Sequence, residues 1–111
     1  MPVLKYDESD CKMIRKGLTR KLVHLENLMT AVLDFTDGPW TEPEPPHAHI
    51  HEQTCYLASG EILFLCEEEE PIILKTGDLF YVASGKKHSI QLLSKEARLV
   101  DSFSPIREDF I

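Results

Sequence analysis

At 111 residues, with 42% hydrophobic side chains, the chain has the size of one domain with a sizeable core. Twelve basic against nineteen acidic residues leave a net charge of −7, which excludes the broad basic surface that nucleic acid or an anionic membrane requires. An anionic ligand would therefore need a local cation, a metal or a well-placed arginine, to overcome the repulsion of the whole.

The first stretch, Met1 to Gly17, lacks the apolar core of a secretory signal, and no later run approaches the roughly 18 apolar residues that span a bilayer. The expected location is the cytoplasm. Cys11, Cys55 and Cys66 form no CxxC pair and fit free thiols in that reducing compartment. Residues 1–20 read as an N-terminal arm or edge strand, and residues 21–111 as the body of the domain. Short apolar and β-branched runs predict strands near Leu22–Leu25, Met29–Phe35, Thr54–Ala58, Glu61–Cys66, Ile72–Leu74, Leu79–Val82, Ser89–Leu93 and Leu99–Phe103. Turn residues punctuate them: Asp37-Gly38-Pro39, Ser59-Gly60, Thr76-Gly77-Asp78 and Ser84-Gly85. The acidic run Glu67–Glu70 reads as a solvated hairpin tip. The proline-rich Thr41–Pro46 reads as a stiff loop feeding the next strand. Many short strands with this turn spacing predict an all-β sandwich or barrel.

The chemistry concentrates in PPHAHIHEQ and in His88. On an extended strand alternate residues share a face, so His47 and His49 point the same way and Gln53 keeps their parity. Glu52 has the opposite parity and ranks below Gln53. His51 shares the parity, and a second-layer or rim position is open for it. His88 opens the strand after the Ser84-Gly85 turn, and antiparallel pairing would bring it beside the HxH segment. His24 sits in LVHLENL, where a surface or strand-face histidine is the default. Three imidazoles and an amide oxygen from His47, His49, Gln53 and His88 suit one divalent metal ion, Zn, Ni, Mn or Fe. With no carboxylate among them, the ion would keep its full charge, favouring Lewis-acid work on an anion over the His/carboxylate iron sites of oxygenases.

These segments resemble the two cupin motifs. His47-x-His49, Gln53 and Gly60 stand where the first motif has its paired histidines, its acidic ligand and its closing glycine. Gly77, Gly85 and His88 match the second. Thr41, Ala83 and Leu92 depart from the family's Gly, Pro and Asn, and Gln53 departs from its Glu. The resemblance implies a single cupin barrel, a double-stranded β-helix or jelly roll, and a bound metal.

Near the C-terminus, Asp101 and Phe103 share a strand face with Leu99, and Arg107 follows the turn at Pro105. Spacing alone favours a surface carboxylate, a core ring and a solvated arginine. Asp101, Phe103, Ser104, Pro105, Arg107, Glu108, Asp109 and Phe110, with His51-Glu52-Gln53, resemble the KdgF-type cupins of pectin and alginate breakdown. That resemblance implies a redox-neutral enzyme of the isomerase or lyase type that linearises 4,5-unsaturated monouronates. The metal would polarise substrate oxygens and Arg107 would pair with the carboxylate. Asp101 would act as general acid and base, and Phe103 would pack on the sugar ring. Cys55 shares parity with Gln53 and is expected as a small buried hydrophobe. A small anionic sugar acid is the expected partner, with a homodimer by family analogy. The rivals are an iron-dependent cupin dioxygenase and a metal- or sugar-binding module without turnover.

Overall fold

The computed structural model describes residues 3–5 and 12–111. Residues 1, 2 and 6–11 of the expected N-terminal arm, Cys11 among them, lie outside that description. Alternation sets the architecture. In the last strand Ala97, Leu99, Asp101 and Phe103 are buried, while Arg98, Val100 and Ser102 lie nearer the surface. In the strand beside it Gln53, Cys55 and Leu57 are buried and Glu52, Thr54 and Tyr56 are exposed. Each fully buried large apolar side chain contributes about 1.5–3 kcal/mol. A one-residue slip would turn that whole set outward, so the register is fixed.

The strands are β1 Lys12–Arg15, β2 Leu18–His24, β3 Met29–Phe35, β4 Glu52–Ser59, β5 Glu61–Cys66, β6 Ile72–Lys75, β7 Leu79–Val82, β8 His88–Leu92 and β9 Ala97–Ser104. A single 3₁₀ turn follows at Glu108–Phe110. A six-stranded sheet runs β1-β2-β3-β9-β4-β7 and a three-stranded sheet runs β6-β5-β8, with every pairing antiparallel. The core between them is built on Leu57, Ile62, Leu92 and Leu99, with a smaller cluster of Met29, Ala31 and Phe103. This is the expected all-β barrel. Among the described residues no helix is long and apolar enough to cross a membrane.

One sequence reading shifts. Strand β2 starts at Leu18 rather than Leu22, so it crosses the boundary drawn after residue 20, and β1 is the edge strand. The apolar alternation Leu18, Leu22 is interrupted by a buried charge, Arg20, which disguises the strand's beginning. The proline-rich stretch is a stiff loop, as read, and the backbone ties it down. Gly38, Trp40, Glu44 and His47 donate backbone N–H bonds to Lys95, Leu92, Ile90 and His88, so the segment runs alongside β8. The acidic run forms the exposed turn between β5 and β6, where Glu68 meets Lys86.

Candidate active site

The two histidine segments meet because the backbone ties them. His47 and His88 exchange main-chain hydrogen bonds of 3.0 and 2.9 Å, an isolated bridge at the mouth of β8. The turn before β8 secures the next residues. Gly85 N–H donates to the His49 carbonyl at 2.8 Å, and Ser84 Oγ donates to the Ile50 carbonyl at 2.6 Å. Gly85 has φ +81, the left-handed region that glycine tolerates without strain. The HxH pair is thus held by the β8 turn, not by a continuous strand. Residues 48–51 are irregular, and β4 begins only at Glu52.

His47, His49 and His88 each offer a ring nitrogen, and these nitrogens lie within 4.8 Å of one another. His49 Nδ1 is 2.9 Å from the His51 carbonyl, and His88 Nδ1 is 2.9 Å from the Lys86 carbonyl. A carbonyl only accepts, so both Nδ1 atoms carry the proton and both Nε2 atoms present lone pairs. Such main-chain anchoring is the usual support for a metal-ligating imidazole. Burial, chiefly, lowers the pKa of both rings, with the Arg107 charge adding to it, which keeps them neutral and able to ligate.

The donor set fits a cation. His88 Nε2 is sealed from solvent with no partner. His49 Nε2 faces Gln53 Oε1 at 3.1 Å. With His49 neutral and protonated on Nδ1, two lone pairs confront each other there. A divalent ion among His47, His49, His88 and Gln53 satisfies all of these groups at once. Gln53 is buried on β4 and Glu52 is exposed. His51 contributes its carbonyl to His49 and its ring stands 5.4 Å from that of His49, beside the cluster.

Asp101, on β9, is paired across the sheet with Cys55. It is 3% exposed, and burial pushes its carboxyl up from an ordinary 3.8 to about 6. Hydrogen bonds from the Cys55 thiol and the Gln53 amide, and the charge of Arg107, pull the other way. Asp101 Oδ1 is buried without a partner. Burial and the adjacent carboxylate hold the Cys55 thiol protonated, far above its ordinary value. Cys55 is therefore a buried residue, as expected, and also a hydrogen-bond donor to Asp101. Cys55 and Cys66 are both free thiols.

Phe103 is 2% exposed, with its ring edge-on to His49 at 5.9 Å. Arg107 donates from Nη2 to Asp109 Oδ2 at 2.8 Å, and its guanidinium lies 4.1 Å from the centre of the Phe110 ring. His47, Gln53, His88, Asp101, Phe103 and Arg107 share one cavity of about 240 Å³. Among the other wall residues, Arg15 and Arg20 went unnoticed in the sequence, and Phe110 was noted only as part of the C-terminal motif, without a role. Arg20 was legible in principle, since it keeps parity with Leu18 and Leu22.

The cupin-domain family model matches residues 35–103. The chain belongs to the cupin family. Within it, this cupin is homologous to the pectin degradation protein KdgF of Dickeya dadantii, with 34% identity over 107 residues, 95% of this chain and 94% of that protein. The solved structure of KdgF from a Halomonas species superposes with a TM-score of 0.85 at 29% identity, covering 96% of this chain and 97% of the other. An RmlC-like cupin from Shewanella frigidimarina gives a TM-score of 0.89 at 28% identity, over 100% and 96% of the two chains.

Proposed function

We propose that this cupin linearises 4,5-unsaturated monouronates to open-chain 4-deoxy-5-keto uronates. The observation that carries the reading is one cavity that joins a cation-fitting histidine cluster to a buried, half-unpartnered carboxyl and a guanidinium. The likeness to two KdgF proteins supports the substrate class.

His47, His49, His88 and Gln53 would hold one divalent ion, which when bound supplies Lewis acidity toward substrate oxygens. The remaining work falls to the chain. Arg107 takes the substrate carboxylate, where a planar fork matches two oxygens. Phe103, wedged between His49 and Phe110, gives the sugar ring a flat apolar wall. Asp101 Oδ1 has no competing partner and is free to move protons. It accepts the proton of the anomeric hydroxyl as the bond from the anomeric carbon to the ring oxygen breaks. It then delivers a proton to carbon 4 of the resulting enol, leaving a ketone at carbon 5. Atoms and electrons balance, and no oxidant is consumed.

The free thiols fit a cytoplasmic location, and the exposed Tyr56, Leu79 and Tyr81 on the outer face of β4 and β7 fit a homodimer. The reaction is tested by following loss of the unsaturated chromophore with and without chelator. Asp101→Ala and Arg107→Ala should each abolish turnover while metal content stays at the wild-type level. Turnover retained in both variants removes the assignment of roles. Tight binding without any turnover by the wild type would make the protein a sugar-binding module instead.

A further inference from the structure

Three guanidiniums stand in the cavity wall. Arg15 is bonded to Glu44 and Arg107 to Asp109. Arg20 differs. It is 8% exposed, yet among the described residues no carboxylate lies within ion-pair distance of it. Its Nη2 donates to the Phe110 carbonyl at 3.0 Å, and its guanidinium lies 3.8 Å from the centre of the Phe110 ring. These contacts use one of five donors and one face of the group. None of its nitrogens is both sealed from solvent and unpartnered, so the unused donors open onto the cavity that Arg20 lines.

A neutral carbonyl and a ring do not neutralise a buried cation, and such a charge is costly without a counter-ion. Arg107 stands close by. Both guanidiniums contact the same Phe110 ring, at 3.8 and 4.1 Å, so at most about 8 Å separates their central carbons. Among the described residues Asp109 supplies the one carboxylate bonded to this pair, through Arg107, and its charge also reaches Arg20. Asp101 shares the cavity but is 3% exposed and forms an ion pair with neither guanidinium, so Arg20 keeps unused donors with no carboxylate bonded to them. Guanidinium donors left open to a cavity in this way match the two oxygens of a carboxylate that enters it.

We propose that Arg20 is a second carboxylate-binding residue of this cavity, gripping the acid group of a uronate together with Arg107. The choice of a uronate rests on the function proposed above. The geometric part, a guanidinium with unused donors open to the cavity, does not. Arg20 also fixes the Phe110 carbonyl, whose N–H in turn donates to the Arg107 carbonyl at 3.0 Å. A purely structural role through that turn is therefore the alternative to be separated by experiment.

The test is equilibrium binding of D-galacturonate to the purified protein by calorimetry, with neutral D-galactose as the control sugar. The wild type should prefer the acid. Arg20→Gln should weaken galacturonate about tenfold and leave galactose unchanged. In an Arg107→Ala background, Arg20→Gln should still weaken galacturonate, because a direct contact survives loss of its neighbour. If Arg20→Gln fails to fold, Arg20→Lys serves. It keeps the charge but loses the fork, so it should weaken galacturonate several-fold and galactose not at all. The inference is overturned by unchanged galacturonate affinity in the folded variant, or by an effect that vanishes in the Arg107→Ala background. It is overturned equally by a wild type with no preference for the acid. Arg20-dependent binding without turnover of an unsaturated monouronate would sink the reaction and keep this inference. Turnover with unchanged KM in Arg20→Gln would do the reverse.

Discussion

Asp101 shows at the level of one residue how function and stability pull apart. A carboxyl that is 3% exposed, with one oxygen unpartnered, is poorly placed for folding and well placed for moving protons. In metal-free protein the sign of its pH dependence follows from its native pKa of about 6 against an ordinary 3.8. Between those values the native state binds more protons than the unfolded one, so stability falls as pH rises through the window. Above pH 6 the full cost stands, on the order of 3 kcal/mol. Asp101→Asn removes the charge and keeps the shape. In urea titrations of chelator-treated protein the variant should exceed the wild type at pH 8 and lose that advantage near pH 3.5. A difference independent of pH would show that the carboxyl is not held as described. Single residues were also where the sequence was least legible. Asp101 and Phe103 could be placed on one face by parity, but Arg20 was hidden by its own charge. A buried cation breaks the apolar alternation that marks a strand.

At the level of elements, the barrel was legible because strands and turns alternate on short, regular spacing. The three strands Met29–Phe35, Glu61–Cys66 and Leu79–Val82 have the bounds read from the sequence. The HxH segment was legible for a reason that holds only in part. Parity assumes an extended chain, yet residues 48–51 are irregular, and His47 and His49 converge through backbone bonds to His88 and Gly85. No local pattern encodes such a bond between distant segments. The β4–β5 turn carries a second constraint of this long-range kind. Gly60 has φ +97, and a Cβ there would stand 2.5 Å from the Glu96 carbonyl oxygen and 2.6 Å from the Ala97 Cβ. Gly77 has φ +99 but open space around it. Gly77→Ala should therefore cost only backbone strain, on the order of 1–3 kcal/mol. Gly60→Ala adds overpacking, typically about 1–3 kcal/mol more, against the first residue of β9. Because β9 carries Asp101, Gly60→Ala should also lower turnover, and Gly77→Ala should not. Equal denaturation midpoints for the two variants would contradict this account.

At the scale of the whole molecule, the proposed ion would join the two sheets. Gln53 comes from β4 in the six-stranded sheet, His88 from β8 in the three-stranded sheet, and His47 and His49 from the segment zipped to β8. No backbone ladder runs directly between β4 and β8, and the segment leading into β4 makes the link through its bonds to His88 and Gly85. An ion bound only by the native state stabilises it by about 2.7 kcal/mol when present at a hundred times its dissociation constant. For a domain of this size each kcal/mol moves the melting temperature by roughly 4–8 °C. Dialysis against chelator should thus lower Tm by roughly 10 °C or more, and re-addition of a divalent ion should restore it. The restoring ion of greatest effect identifies the preferred metal. His88→Ala removes the ligand contributed by the smaller sheet, so its Tm should no longer respond to chelator or metal. The same cation would offset part of the −7 charge where an anionic sugar must enter. Loss of the ion should therefore weaken galacturonate binding beyond any loss of stability, a difference measurable well below the melting transition. A Tm indifferent to chelator, with galacturonate bound equally well in its presence, would mean that the histidine cluster serves no cation at all.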